Sequence, residues 1–445
     1  MKLSHITLQN FRRYEAARFH FHEHFSVLIG NNGKGKTTVL DAVAIMLNTY
    51  FQGARMPTGG GNISKADARL QFTRKEEQVF REHMREVVLK ATVTANGSQV
   101  SWQRDIGDRG GKAKDLVRLG VQARECIERG ENPELPLLLY YGAGRLWSLH
   151  DNIETDKPSS QLDAYRYCLD PKSDQKSFEK WFKKLALIEL QKRTRIPATN
   201  AVKNAILTCV PGAKDFYYDT EFDELTIELE KEGLMPFNDL SDGYRNMVGM
   251  VADIAHRAAR LNPHHGAEAG IKTNGIVLID EIDLHLHPKW QRRVVSDLKR
   301  AFPKLQFIAS THSPFILQSL EPGEVIDLDQ LLQVDEVAMS PLGIAAPGPG
   351  TSFSNRPIED IIESVMGVPV PQRGQRYQDM YDTAKKYFKL LEEQATTNAT
   401  PEEKEALKKR LDMLSAPFSD NVAYHAFLEM KRLAAGVSSD DEEAN

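Results

Sequence analysis

The sequence predicts an α/β protein with a parallel sheet at its core, because three apolar runs each end in polar residues suited to chemistry. Phe25-Ser26-Val27-Leu28-Ile29 runs into Gly30-Asn31-Asn32-Gly33-Lys34-Gly35-Lys36-Thr37. Gly275-Ile276-Val277-Leu278-Ile279 ends in Asp280-Glu281, and Leu305-Gln306-Phe307-Ile308-Ala309 ends in Ser310-Thr311-His312-Ser313-Pro314. Buried parallel strands deliver such residues to one edge of a sheet, where ligands bind.

Residues 30–37 match the G-x-x-x-x-G-K-[ST] phosphate loop in full, and the helical pattern Thr38-Val39-Leu40-Asp41-Ala42-Val43 follows as that loop requires. Glycines let the backbone wrap a phosphate chain, and amides at the helix start point at the anion. Asn31, Asn32, Gly33, Lys34, Gly35, Lys36, Thr37 and Thr38 are therefore the expected contacts of a nucleoside triphosphate, ATP, bound with Mg²⁺. Lys36 reaches the outer phosphates and the Thr37 hydroxyl holds the metal. Asp280 is the second expected Mg²⁺ residue, direct or through water, and Glu281 the general base that polarises the attacking water. His312 is placed to hydrogen-bond the γ-phosphate.

Bulk properties exclude several classes. A chain of 445 residues, 41% hydrophobic and 27% charged, reads as globular, with room for two or three cores. Its net charge of −5 argues against an overall basic nucleic-acid binder. Three distant cysteines form no C-x-x-C pair, which fits a cytoplasmic setting, and no apolar run is long enough to span a membrane. The first residues enter a strand pattern with no signal peptide.

Leu240-Ser241-Asp242-Gly243-Tyr244-Arg245 stands just ahead of a helix rich in small and apolar residues. It resembles the signature motif of ABC-type ATPases, and the order loop, signature, paired acids, histidine is theirs. The resemblance implies that Ser241, Asp242, Gly243 and Tyr244 complete the nucleotide site of a second copy, so that two heads sandwich two nucleotides. Asp242 replaces the usual glycine; a carboxylate there repels a γ-phosphate unless it is turned away or paired, Arg245 being the available partner.

Leu8-Gln9-Asn10-Phe11-Arg12-Arg13-Tyr14 resembles the first strand and turn of RecF and SMC ATPases, where a basic residue touches the nucleotide; Arg12 or Arg13 is the candidate. Asp283-Leu284-His285-Leu286-His287-Pro288 resembles the D-loop of that group, with a metal site at the two histidines as the minor reading. About 200 residues separate Thr37 from Ser241, without a sustained heptad repeat, so the long arms of SMC proteins are absent. The interval reads as a β-rich lobe, Val87 to Trp102 with a hairpin at Asn96-Gly97, and a helical lobe from about residue 150 to 260. Between them Leu135–Tyr141 is a buried strand, followed by Arg145, either a substitute for the missing Q-loop glutamine or a structural arginine. Lys183, Lys184, Lys192, Arg193 and Arg195 form a basic stripe, read as a solvated helix face ahead of a nucleic-acid surface.

Residues 1–340 make the ATPase head on this reading, 341–356 a linker, 357–437 a helical region and 438–445 an acidic disordered tail. Asp327-Leu328-Asp329 ends a strand of the head, not a Toprim nuclease site, and His264-His265 lies in a loop without metal-ligand spacing. In the helical region Tyr377, Met380, Tyr381, Ala384, Tyr387, Phe388 and Leu391 share a face, expected to pack against the head. A second helix begins at the capping box Thr400-Pro401-Glu402-Glu403, and a third spans about 422–433.

The signature variant, the 283–288 loop and Asn421-Val422-Ala423-Tyr424-His425-Ala426-Phe427-Leu428-Glu429 together resemble the ATPase subunit of Septu-type anti-phage systems, which also occurs with some retrons. That resemblance implies a cytoplasmic ATPase without a nuclease domain of its own. It also implies assembly as a homodimer or larger homo-oligomer with an HNH nuclease subunit, nucleic acid being met through the partner. The alternatives are a RecF-like DNA-repair clamp and the ATPase of a defence system paired with a Toprim nuclease.

Overall fold

In the computed structural model the described residues are 1–52, 56, 58–75, 78–106, 113–144, 160–171, 175–329, 343–345, 353–354, 356–365, 374, 379–380, 382–387, 389–390, 401–418, 424, 426, 428 and 430. Arg145, most of the 341–356 segment, Thr400, most of the third C-terminal helix and the 438–445 tail lie outside them. The chain divides into two units, Met1–Ile361 and Ile362–Asn445.

The first unit is built on a five-stranded parallel sheet in the order Val325–Asp327, Phe25–Ile29, Leu305–Ser310, Gly275–Ile279, Leu137–Tyr141. Its four longer strands are almost wholly buried, as strands covered on both faces must be, which is why they read as unbroken apolar runs. Gly275 is fixed by sterics: a Cβ there would lie 1.9 Å from the Leu137 carbonyl oxygen. A second sheet orders Gly343–Ala345, Tyr14–His20, Lys2–Phe11, Val88–Ala95 and Ser98–Asp105, antiparallel except at its first pair. The expected hairpin closes it: Asn96 and Gly97 both have positive φ, 51° and 77°, as a two-residue type I′ turn needs. Helix Lys36–Leu47 buries Val39, Leu40, Ala42 and Val43.

One expectation is corrected. The lobe ahead of the signature is not only helical. Between helices Gln175–Lys192, Pro197–Cys209 and Asp242–Leu261 lies an antiparallel meander, Ala213–Asp219, Glu224–Leu229 and Gly233–Pro236. Its buried residues Phe216, Tyr218, Leu225, Ile227 and Leu229 are interspersed with Tyr217, Thr226 and Glu228 and flanked by Asp215, Asp219 and Glu224, which dilutes the apolar signal. Within the second unit, Tyr387 of the aromatic stripe is buried with Leu407, Leu411 and Leu428, while Tyr377, Tyr381, Phe388 and Leu391 lie outside the described residues. Tyr424 Oη donates to the Met380 carbonyl at 2.9 Å there. The basic stripe is solvated, with Lys184, Lys192, Arg193 and Arg195 exposed and Lys183 paired to Asp223 at 2.5 Å.

Asn262 fastens the end of helix Asp242–Leu261 to the sheet. Fully buried, its amide oxygen accepts from Leu135 N at 2.9 Å and its nitrogen donates to Leu135 O at 3.0 Å and Thr273 Oγ1 at 3.1 Å. Asn262→Ala strands these backbone groups and is expected to cost roughly 1–3 kcal/mol in chemical denaturation. In the same helix His256 lies beneath Trp181, ring centroids 4.3 Å apart, and burial pushes its pKa down to about 4. The unfolded chain then binds the proton that the native chain refuses, so stability falls as pH drops from about 6.5 towards about 4, by up to roughly 3 kcal/mol. His256→Phe is expected to remove that part of the slope in unfolding curves taken across the window.

Candidate functional site

The C-terminal edge of the parallel sheet gathers most of the residues singled out in the sequence. Strand Phe25–Ile29 opens into the loop, and helix Lys36–Leu47 follows. Gly35 stands at its N-cap with φ 93°, and no side chain caps the helix, so its first amides are left to a ligand. Lys36 is buried, its Nζ donating to the carbonyl of Gly30 at 2.7 Å. Desolvation lowers its pKa, while Asp280, Asp329, Glu281 and Asp283 pull the other way.

Asp280 is the hub. Its Oδ2 accepts from Thr37 Oγ1 at 2.9 Å and its Oδ1 from Ser310 Oγ at 2.5 Å, so one buried carboxylate joins the ends of two neighbouring strands to the start of the loop helix. Glu281 follows with φ 50°, its amide donating to Ser310 Oγ at 2.8 Å. A left-handed turn immediately after the strand re-aims this side chain relative to Asp280. His312 is exposed at the end of the neighbouring strand, beside Thr311, whose Oγ1 donates to Asp283 at 2.5 Å.

The two arginines separate. Arg12 is engaged with carboxylates: Nη1 meets Asp41 at 2.5 Å and Nε meets Asp67 at 2.9 Å. Asp41 in turn accepts from Tyr140 Oη at 2.8 Å, tying the loop helix to strand Leu137–Tyr141. Arg13 instead lies against the loop: a Cβ on Gly35 would fall 2.6 Å from Arg13 Cδ. Tyr14 Oη donates to the Lys34 carbonyl at 2.8 Å.

Ser241 is the N-cap position of helix Asp242–Leu261 and is exposed, with no side-chain cap bond. Asp242 is paired, as its chemistry required: Arg245 Nη2 meets its Oδ1 at 2.5 Å. This helix start packs on the loop after the paired acids. Asn246 donates to the Leu284 carbonyl at 2.9 Å, Tyr244 meets the Trp290 ring edge-on at 4.4 Å, and a Cβ on Gly243 would lie 2.6 Å from His285 O. His287 caps the short helix Pro288–Gln291, its Nδ1 accepting from Lys289 N at 3.2 Å, a structural use of that nitrogen.

Asp329 was not anticipated here. Beyond the short strand Val325–Asp327 it accepts from Asn31 N at 3.0 Å and pairs with Lys34 Nζ at 2.7 Å. Its only sequence signal was the Asp-x-Asp at a strand end. Asp41, Tyr140 and Tyr14 also escaped notice, since each gains its place from a neighbouring element.

An "AAA domain" family model matches residues 5–209, and "AAA domain, putative AbiEii toxin, Type IV TA system" matches residues 147–318. The Retron Vc95 probable ATPase of Vibrio cholerae serotype O1 biovar El Tor is 25% identical over 389 residues, covering 74% of each chain. Septu protein PtuA of Bacillus mycoides (strain KBAB4) is 51% identical over 87 residues, 20% of this chain and 11% of the relative. The SMC head domain from Thermotoga maritima aligns with 79% of this chain and 99% of its own, at 14% identity and a TM-score of 0.41. The chain is thus an α/β protein similar to retron ATPases over most of its length and to Septu PtuA over part of it, a likeness to PtuA-like ATPases of RecF/SMC type.

Proposed function

We propose that the chain binds and hydrolyses ATP as the regulatory subunit of a bacterial anti-phage complex, controlling an HNH nuclease partner through its nucleotide state. The observation that carries the enzymatic half is the Thr37–Asp280 contact at 2.9 Å, the hydroxyl and carboxylate pair expected around Mg²⁺ at a phosphate loop. These hard oxygen donors suit Mg²⁺, which keeps several waters and lowers the charge of the bound triphosphate. Local charge also requires a cation. Asp280, Glu281, Asp283 and Asp329 all act on Lys36, and a polyanion entering among them needs more positive charge than Lys34 and Lys36 supply.

In this reading Lys36, Thr37, Thr38 and the amides of Asn31 to Gly35 hold the phosphates. Glu281 takes the proton of the attacking water, and His312 contacts the γ-phosphate. Arg13, lying across Gly35, is the better of the two arginines for the nucleotide, because Arg12 is committed to Asp41 and Asp67. Ser241, Gly243 and Tyr244 face the nucleotide of a second copy, with Asp242 neutralised by Arg245. The defence role is supported by the similarity to Septu and retron proteins and by the signature variant. The second unit, with a small core of its own, is the proposed docking element for the nuclease.

Glu281→Gln is expected to lower phosphate release at least about a hundredfold, keep ATP binding, and trap a dimer or larger assembly in sedimentation. Unchanged turnover removes Glu281 as the base; a fully loaded monomer removes the shared site. Deleting residues 362–445 is expected to leave nucleotide affinity within about twofold while abolishing co-purification with the HNH nuclease. Retention of the nuclease would locate docking in the first unit.

A further inference from the structure

The opposite edge of the parallel sheet carries a second cluster, independent of the nucleotide reading. Glu134 lies three residues before strand Leu137–Tyr141, at the end away from the phosphate loop. His264 and His265 sit in the 3₁₀ turn Pro263–Glu268, after helix Asp242–Leu261. The three come together in space: Glu134 Oε2 lies 2.8 Å from His265 Nε2 and 3.3 Å from His264 Nε2, and all three ligand atoms lie within 4.8 Å of one another. The third group comes from 130 residues away, which local ligand spacing around His264-His265 does not register.

We propose that Glu134, His264 and His265 form a binding site for a divalent transition metal of the zinc class. Two imidazole nitrogens and one carboxylate are a donor set zinc takes, and their ligand bonds of about 2.0–2.2 Å set tetrahedral ligand separations near 3.3 Å. The two Glu134–histidine separations, 2.8 and 3.3 Å, fall close to that edge. The second carboxylate oxygen is already held: Asn274 Nδ2 donates to Oε1 at 3.3 Å, the outer contact that orients a ligating carboxylate.

The frame beneath is rigid. Asn262 grips both backbone groups of Leu135, next to Glu134, and its own carbonyl accepts from His265 N at 3.0 Å. The side chains are 35%, 28% and 16% exposed for Glu134, His264 and His265, so an ion has access and a fourth ligand is left to water. Imidazole ligands disfavour Mg²⁺ at this position and separate the site from the candidate nucleotide metal. A bound ion would fasten the end of the signature-bearing helix to the foot of the central sheet, alongside Asn262.

The test uses the full chain stripped with chelator, then titrated with ZnCl₂ by calorimetry in excess Mg²⁺, with metal content measured by elemental analysis after desalting. The expected result is one tight zinc per chain, weakened at least a hundredfold in His264→Gln/His265→Gln and in Glu134→Gln, and about tenfold in Asn274→Ala. Thermal unfolding in chelator, equal for wild type and variants, certifies their folding, and zinc raises the midpoint of wild type alone. Absence of stoichiometric zinc in the wild type, or equal affinity in the double histidine variant, overturns the proposal and leaves a hydrogen-bonded surface trio.

Discussion

Asp280 accepts hydrogen bonds from Thr37 and Ser310 at once, and the candidate site depends on that double contact. Strands Phe25–Ile29, Leu305–Ser310 and Gly275–Ile279 are neighbours, so their ends would be close in any case. Adjacency alone does not aim side chains. A buried carboxylate is costly unless its lone pairs are used, and here both oxygens are engaged by hydroxyls from the flanking elements. Within the chain the compensating charge is Lys36, desolvated and held against the loop's own carbonyls. A metal ion and a triphosphate entering between these groups exchange one set of charge contacts for another, and do not meet an apolar wall.

Around that hub the loop is braced from three sides. Asp329 holds Asn31 and Lys34 from beyond strand Val325–Asp327, and Tyr14 holds the Lys34 carbonyl from the antiparallel sheet. The chain Asp67–Arg12–Asp41–Tyr140 runs from that sheet through the loop helix to strand Leu137–Tyr141. Its bonds are charge-assisted and half-buried, the class that fixes geometry more strongly than neutral contacts do. Arg12 therefore reads as a structural tie between layers, and the adjacent Arg13 remains on the loop side. The two sit side by side in the turn between strands Lys2–Phe11 and Tyr14–His20, where the positive φ of Arg12, 49°, sends neighbouring side chains apart.

Much of this was legible in the sequence, for identifiable reasons. The strands Phe25–Ile29, Leu137–Tyr141, Gly275–Ile279 and Leu305–Ser310 showed themselves as apolar runs because both faces are covered. The Asn96-Gly97 turn showed itself because few residues tolerate its backbone. The meander 213–236 did not, since its strands are only four to seven residues long and mix charged, polar and apolar residues on both faces. The contacts of Asp329 with Asn31 and Lys34, and of Glu134 with the two histidines, were not legible. Each depends on a partner more than a hundred residues away, and periodicity registers only near neighbours.

The signature region shows how local chemistry constrains a larger motion. Asp242 repels a phosphate if left bare, yet Arg245 one turn along the helix holds its carboxylate. Gly243, Asn246 and Tyr244 bind that helix start to the loop following Glu281. A displacement of the 283–290 loop therefore moves the signature of the same chain, and a displaced signature presses back on the loop. If a second copy reads that signature, its nucleotide and the acids of the first chain share one rigid connection, and the coupling between two sites acts equally in both directions. Pairing and hydrolysis are then linked through backbone contacts at His285 and Leu284, with no need for a longer path through the lobe.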